Sequence, residues 1–211
     1  MKLDWVTVGP FQENSYLLVD EASAHAVLVD PGDEPERILR MVRASGATVD
    51  AIWLTHGHLD HIGAVQAIRR EWKVPVWLHP DDLVLYRRAE QQAAVYGLPF
   101  DQPEDPDREL ADGDELTLGG ARFVVRHTPG HSPGHVVFVG DNLIVGGDLL
   151  FAGSIGRTDL PFSDPDAMDA SLALLAGWPA NLAVYPGHGP PTSIGAELAT
   201  NPYLAGVHHV R

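Results

Sequence analysis

Thr55-His56-Gly57-His58-Leu59-Asp60-His61 places four metal-binding side chains within six positions. Farther along, His131, Asp148 and His188 add three more of the same kind. Neutral imidazole and carboxylate suit zinc, iron or manganese, and seven such groups are enough for two ions that share one bridge. The spacing restricts the geometry. His56 and His58 are two apart, so in an extended segment both side chains point the same way. Asp60 and His61 follow at the expected start of a helix and can address a neighbouring position. Gly57, Gly130 and Gly187 each precede a ligand by one residue, and glycine lets the backbone turn unusually or approach closely.

These groups need a frame. Segments 2–8, 15–19 and 24–29 read as strands, and Asp30-Pro31-Gly32-Asp33 breaks the third. Segment 34–44 carries Ile38, Leu39 and Val42 on one face, which predicts a helix. A short buried strand, 49–54, runs into the histidine motif. Ile62, Val65, Ile68 and Trp72 recur at helical spacing from His61 onward, and 74–78 is the next strand. Asp81-Asp82 begins a helix expected to run to Tyr96. Segment 97–113, rich in proline and acid, reads as an exposed loop. Strands are expected at 115–118, 121–126, 135–139, 142–145 and 182–185. Helices are expected from Asp164-Pro165 to Leu175 and over 193–200.

Strands with interspersed helices occur in both halves. That pattern predicts an α/β fold, a four-layer αββα sandwich with two sheets face to face and helices outside. Asp30, His56 to His61, His131, Asp148 and His188 each fall just after an expected strand. Loops at one sheet edge can then bring them together while the strands fix their positions.

Composition narrows the partners. The chain has 211 residues with no linker, low-complexity run or long apolar segment, which reads as one domain over 1–211. Its N-terminus, Met1-Lys2-Leu3-Asp4-Trp5, lacks the apolar region of an export signal, so a cytoplasmic protein that does not enter the membrane is expected. With no cysteine, disulfides, thiolate ligands and a cysteine nucleophile are excluded. The formal net charge of -15 repels phosphate backbones and counts against nucleic acid as a partner. Between His127 and Val210, Arg157 is the only lysine or arginine.

The chain resembles the metallo-β-lactamase-fold superfamily over nearly its whole length. The resemblance rests on Thr-His-Gly-His-Leu-Asp-His at 55–61, His-Thr-Pro-Gly-His at 127–131, Gly-Gly-Asp at 146–148 and Pro-Gly-His-Gly at 186–189. It implies the αββα fold, with His56, His58 and His131 on one metal, Asp60, His61 and His188 on a second, and Asp148 bridging them. True β-lactamases of this fold commonly use a cysteine ligand, which argues against antibiotic hydrolysis here. More narrowly, the chain is similar to the short form of the glyoxalase II-like hydrolases. Phe-Ala-Gly-Ser-Ile-Gly-Arg-Thr-Asp-Leu-Pro at 151–161 and Thr-Asn-Pro-Tyr-Leu at 200–204 carry that likeness. Full-length glyoxalase II adds a C-terminal helical domain that helps bind glutathione. Only 23 residues follow His188 here, so that domain is expected to be absent and the thiol carrier stays open.

The resemblance implies a small-molecule thioester substrate, such as an S-(2-hydroxyacyl)glutathione or a related thiol ester, and two divalent ions. Zinc is the first expectation, with iron or manganese as alternatives. Two ions roughly 3.5–4 Å apart hold a shared water as hydroxide near neutral pH and polarise the carbonyl it attacks. A thiol with an ordinary pKa of roughly 8.5 leaves without obligatory help from an acid. Asp60 is expected both to ligate and to orient the hydroxide. Asp30 is expected to fix a ligand histidine or the motif loop from behind. Arg157, Tyr86 and Arg87 are candidate substrate contacts, with Arg88 and Tyr96 beside them, although Arg157 can equally brace its loop through Asp159 or Asp141. His79, His127 and His135 read as structural, and His208 and His209 as solvated tail residues.

The main rival is a persulfide dioxygenase. That family shares the fold and the Gly-Arg-Thr-Asp sequence of 156–159, and holds one iron by two histidines and a carboxylate. Here those would be His56, His131 and Asp148, leaving positions open for oxygen and substrate. A nuclease or phosphodiesterase is disfavoured by the charge, and a non-catalytic metal-binding module by the intact ligand set. The oligomeric state is not legible in the sequence.

Overall fold

A computed structural model describes residues 1–204. His208 and His209 lie outside the described residues. Two six-stranded sheets stack face to face. The first contains β1 (Lys2–Val8), β2 (Glu13–Asp20), β3 (His25–Val29), β4 (Thr48–Trp53), β5 (Val76–Leu78) and β6 (Arg108–Glu109), in that spatial order. β1 to β3 form an antiparallel meander, and β3 to β6 run parallel. Parallel strands need crossovers, and helices supply them. α1 (Pro35–Ser45) joins β3 to β4, while α2 (Leu59–Ile62) and α3 (Val65–Trp72) join β4 to β5. α4 (Leu83–Tyr86) and α5 (Ala89–Val95) follow β5.

The second sheet is built from β7 (Glu115–Leu118), β8 (Ala121–His127), β9 (Val136–Val139) and β10 (Leu143–Gly147). A small hairpin, β11 (Leu150–Phe151) and β12 (Ser154–Ile155), interrupts before α6 (Pro165–Ala176). Then β13 (Ala183–Pro186) pairs parallel to β10, β14 (Thr192–Ser193) closes the sheet edge, and α7 (Ile194–Thr200) follows.

Three apolar layers hold the four structural layers together. Leu17, Leu28, Ile52 and Val76 on the outer face of the first sheet meet Ile38, Val42, Val65 and Ile68 of the helices. Between the sheets, Leu18, Val27, Val29 and Trp53 meet Phe123, Phe138 and Val145, with the Trp53 ring 5.3 Å from Phe138 and 5.5 Å from Phe123. Val137, Ile144 and Val184 on the far face pack against Met168, Leu172 and Leu175 of α6. Because both faces of β2 and β3 are covered, these strands read as continuous apolar runs instead of alternating ones. This is the four-layer sandwich expected from the sequence.

The departures have local causes. The helix expected from His61 breaks after Ile62. The amide of Ala64 donates to Pro31 O at 3.0 Å, and a Cβ on Gly63 would lie 2.4 Å from Gly32 O. The helix expected over 81–96 divides into a 3-10 turn, Pro80–Asp82, then α4 and α5. Gln102 sits in the break: its Nε2 donates to Tyr86 O, and its Oε1 accepts from Glu90 N. Within the expected loop 97–113, Arg108 and Glu109 pair with β5; two exposed polar residues give no periodic signal. By contrast, α6 starts as its sequence predicts, with Asp164 Oδ1 accepting from Asp166 N and Ala167 N and Pro165 at the first turn.

Candidate metal centre

The carboxyl ends of β3, β4, β8, β10 and β13 open toward the same edge, and each feeds a loop into one cluster. The segment after β4 delivers His56 and His58, the latter in extended backbone, and α2 carries Asp60 and His61. The turn after β8 supplies His131, the residue after β10 is Asp148, and His188 follows β13. The structure therefore brings all seven sequence-selected groups together.

Two donor groups adjoin. One nitrogen from each of His56, His58 and His131 falls within 4.8 Å of the others, and so do donor atoms of Asp60, His61 and His188. Asp148 stands between them. Its Oδ1 is 3.4 Å from His61 Nε2, and its Oδ2 is 3.4 Å from His131 Nε2 and 3.5 Å from His188 Nε2. Asp60 Oδ2 lies 3.4 Å from His188 Nε2.

Hydrogen bonds behind the cluster set the tautomers. Asp30 accepts from Thr55 N at 2.7 Å, Thr55 Oγ1 at 2.6 Å and His61 Nδ1 at 3.0 Å. The Thr55 hydroxyl, having donated to Asp30, accepts from His56 Nδ1 at 3.0 Å. His131 Nδ1 donates to Arg157 O at 2.8 Å. Each of these histidines thus presents Nε2 inward, the nitrogen that a metal-ligating imidazole uses once it carries no proton. Asp30 fills the supporting place expected of it, in a left-handed backbone conformation (φ 49°) that aspartate tolerates better than most residues.

The cluster fits divalent ions on its own terms. His56 Nε2, His61 Nε2 and Asp148 Oδ1 are buried without a hydrogen-bond partner. Buried polar atoms are rarely left so, and these orphans, one nitrogen in each histidine group and one oxygen of the carboxylate between them, call for cations beside them. His58 Nδ1 and His131 Nε2 are 2.8 Å apart, a separation that two lone pairs tolerate only with a proton or cation between them.

Charge divides the cluster. Burial, reinforced by neighbouring imidazoles, lowers His56 well below its ordinary value and takes His58 down to about 3. Burial opposes protonation of His61 and His188 too, but the carboxylates outweigh it. Asp148 and Asp30 hold His61 well above the ordinary value, and Asp148 and Asp60 push His188 up to about 10. Burial would raise Asp148 and Asp60; His61 and His188 reverse this and keep both carboxyls low. Positive charge is therefore favoured at the His61 and His188 side of the cluster and opposed at the His56 and His58 side.

Some supporting residues gave no recognisable signal in the sequence. Buried Asp82 accepts from Gly57 N, Ser132 Oγ and Gly134 N, so one carboxylate ties the His56–His58 loop to the His131 loop. In the sequence it is only the second acid of an expected helix start. Asn14 donates to Pro186 O and Gly189 O, and Tyr16 Oη donates to Pro186 O, bracing the loop of His188. Glu13 is buried, with Oε2 accepting from Ser15 Oγ and Oε1 4.0 Å from His61 Nδ1. His135 Nε2 accepts from Asp148 N, the structural place expected for it. His79 and His127 stack at 4.3 Å apart from the centre.

Over the cluster lies a cavity of about 530 Å³ floored by His58, Asp60, His131, Asp148 and His188. Of the residues first selected as substrate contacts, Arg157 lines it, as do Arg88 and Tyr96. Tyr86 and Arg87 do not. Tyr86 is fully buried and its hydroxyl donates to Glu104 O, while Arg87 turns away to pair with Asp105. Tyr86 ends α4 and Arg87 follows it, and both reach the 101–105 segment, which a single unbroken helix would not have indicated. Arg157 itself is paired with Asp159, through Nε at 2.8 Å and a second nitrogen at 2.9 Å. A smaller cavity of about 370 Å³ beyond Phe11 meets the cluster at Asp60. No helix among the described residues is long and apolar enough to cross a membrane.

A family model described as "Metallo-beta-lactamase superfamily" matches residues 8–188. The chain is 35% identical to the hydroxyacylglutathione hydrolase GloC of Haemophilus influenzae, over 97% of this chain and 98% of that one. Among solved structures, TTHA1623 in a di-iron-bound form is 47% identical, with a TM-score of 0.88 over 95% of this chain and 100% of that one. BLEG-1 B3 metallo-beta-lactamase is 37% identical, with a TM-score of 0.90 over 97% and 100%.

Proposed function

This chain belongs to the metallo-beta-lactamase superfamily, and from that membership we propose that it is a two-metal hydrolase of thiol esters. The coarse reading, a metal-dependent hydrolase acting on a small molecule, rests on the family and on the relative named as a hydroxyacylglutathione hydrolase. The observation that carries the finer reading is Asp148, placed between two donor groups in which His56 Nε2 and His61 Nε2 are buried without a hydrogen-bond partner. We read residues 1–211 as one such catalytic domain.

Divalent ions held by His56, His58, His131 and Asp148 on one side and Asp60, His61, His188 and Asp148 on the other would acidify a shared water and polarise a carbonyl. The residues of the chain do the rest. Asp60, kept ionised by His188, is too weak a base to keep the proton of the water. It accepts a hydrogen bond instead and orients the water toward the carbonyl carbon. Water adds to that carbon, the C–S bond breaks, and a carboxylate, a thiol and a proton result. Asp30, Thr55 and Arg157 O hold the imidazoles in the ligating tautomer throughout. The buried side chains of His58, His131 and Asp148 lie in a lower local dielectric than bulk water, which strengthens each electrostatic contact there.

A second reading has its own support. His56, His131 and Asp148 converge, Gly-Arg-Thr-Asp stands at 156–159, and the di-iron-bound neighbour makes iron as reasonable an occupant as zinc. On that reading the chain is a persulfide dioxygenase. The likeness to BLEG-1 also blunts the argument that a missing cysteine excludes β-lactams. The test is a substrate panel on metal-loaded protein: thiol esters, a β-lactam, and a persulfide with oxygen uptake recorded. Thiol-ester hydrolysis well above the others is the expected result; oxygen uptake without hydrolysis would overturn it.

A further inference from the structure

We infer that Arg88 is the specificity residue of this cavity, and that it recognises a carboxylate borne by the substrate beyond an apolar spacer. The inference deepens the thiol-ester reading, since it concerns the same cavity. Two arginines reach that cavity, and they differ. The charge of Arg157 is already taken by Asp159 in a two-bond pair, whereas among the described residues no carboxylate pairs with Arg88. Its guanidinium lies over the Phe162 ring, 5.6 Å from the centroid, at the cavity mouth. A guanidinium stacked on an aromatic face keeps its in-plane donors free for a planar anion.

The backbone beneath Phe162 supports this placement. Ser163 N donates to Leu160 O across a four-residue turn with Pro161 second and Phe162 third. Phe162 has φ 71°, the left-handed region that this turn type demands and that glycine or asparagine normally fills. A bulky residue there is conformationally costly, and strain of this kind collects at functional sites. What it achieves here is a ring held at the mouth under Arg88. Between that pair and the floor the wall is mainly apolar, with Gln91 and Gln92 the uncharged polar residues in it. Val95, Tyr96 and Phe162 are exposed large apolar side chains, and the edge of Tyr96 meets Phe11 at 5.2 Å. Exposed apolar side chains gathered around one opening mark a binding site.

The shape sets the ligand chemistry: a carbonyl over the floor, an apolar stretch along Tyr96 and Val95, and one negative charge at Arg88. Among the described residues that line the cavity, Arg88 is the one cation without a carboxylate partner, and one such cation in a chain of net charge -15 suits a monoanion better than a phosphate.

The test is equilibrium binding to the metal-loaded protein, so it does not depend on turnover. The probes are lactamides of ω-amino acids of graded length, each compared with its methyl ester. The amide replaces the scissile thiol ester, leaving the carboxylate free to reach the mouth. At the best length, the carboxylate should bind about ten-fold tighter than its methyl ester. Arg88→Gln should bring the pair to near equality, Arg88→Lys should keep part of the preference, and Arg157→Gln should keep it all. Equal binding by the wild-type protein, or a full preference in Arg88→Gln, would overturn the inference. Absent thiol-ester hydrolysis would sink the reaction assignment while this result still stood.

Discussion

The floor of the cavity and its walls are built by different rules. Four of the seven groups at the centre are backed by a hydrogen-bond partner: Asp30 behind His61, Thr55 behind His56, Arg157 O behind His131, and His135 behind the Asp148 amide. The wall is made from short, interrupted helices and a strained turn, with Arg88, Tyr96 and Phe162 open to solvent. Fixing a reacting geometry demands the first kind of construction, while the second allows the substrate to vary without disturbing the metal site.

The largest effect that would break this contrast is expected from Gly187→Ala. A Cβ there would lie 2.3 Å from Asp148 Oδ1 and 2.7 Å from His61 Cε1, so the bridging carboxylate must move. Metal content and turnover should fall by about 100-fold or more, with the far-ultraviolet circular dichroism retained. Asp82→Asn comes next. It sets an amide N–H2 against donors that now meet carboxylate oxygen, loosening the His58 and His131 loops together. We expect metal affinity to fall by about 10–100-fold and thermal unfolding to report a loss of about 1–3 kcal/mol.

Acidity should separate the two donor groups within the floor. His56 and His58, with lowered values, are neutral at pH 7 and load without losing protons. His61 and His188 are raised, His188 to about 10, so an ion entering their group must displace protons. Loading of that group should release protons at pH 7, and its apparent affinity should climb as pH rises toward about 10. Calorimetry in buffers of different ionisation enthalpy reads this directly; proton release confined to loading of the His56, His58 and His131 group would invert the assignment. The smallest effect belongs behind the wall. Tyr86→Phe deletes one hydrogen bond to Glu104 O and should cost about 0.5–1.5 kcal/mol of stability with turnover intact. A fall in kcat/KM at unchanged Tm would return Tyr86 to the substrate.

The same contrast explains what the sequence made legible. Residue type and strand-end position identified all seven floor groups and Asp30, because few side chains bind divalent ions and strand ends are readable from apolar runs. Three apolar layers follow from the same runs, so the sandwich was legible too. The wall was not. Tyr86, Arg87 and Arg88 are consecutive, and which of them faces the cavity depends on a helix break held by Gln102, sixteen residues downstream of Tyr86. Asp82 was missed for a related reason. Its three donors come from Gly57, Ser132 and Gly134, and no local pattern encodes a contact across fifty residues.

The central claim is that two adjoining positions share Asp148. The number and identity of metal ions per chain, measured on protein purified without chelator, test it most directly. About two divalent ions per chain is the result the structure predicts. About one iron per chain, with the Asp60, His61 and His188 group empty, would contradict it and shift the assignment to the dioxygenase.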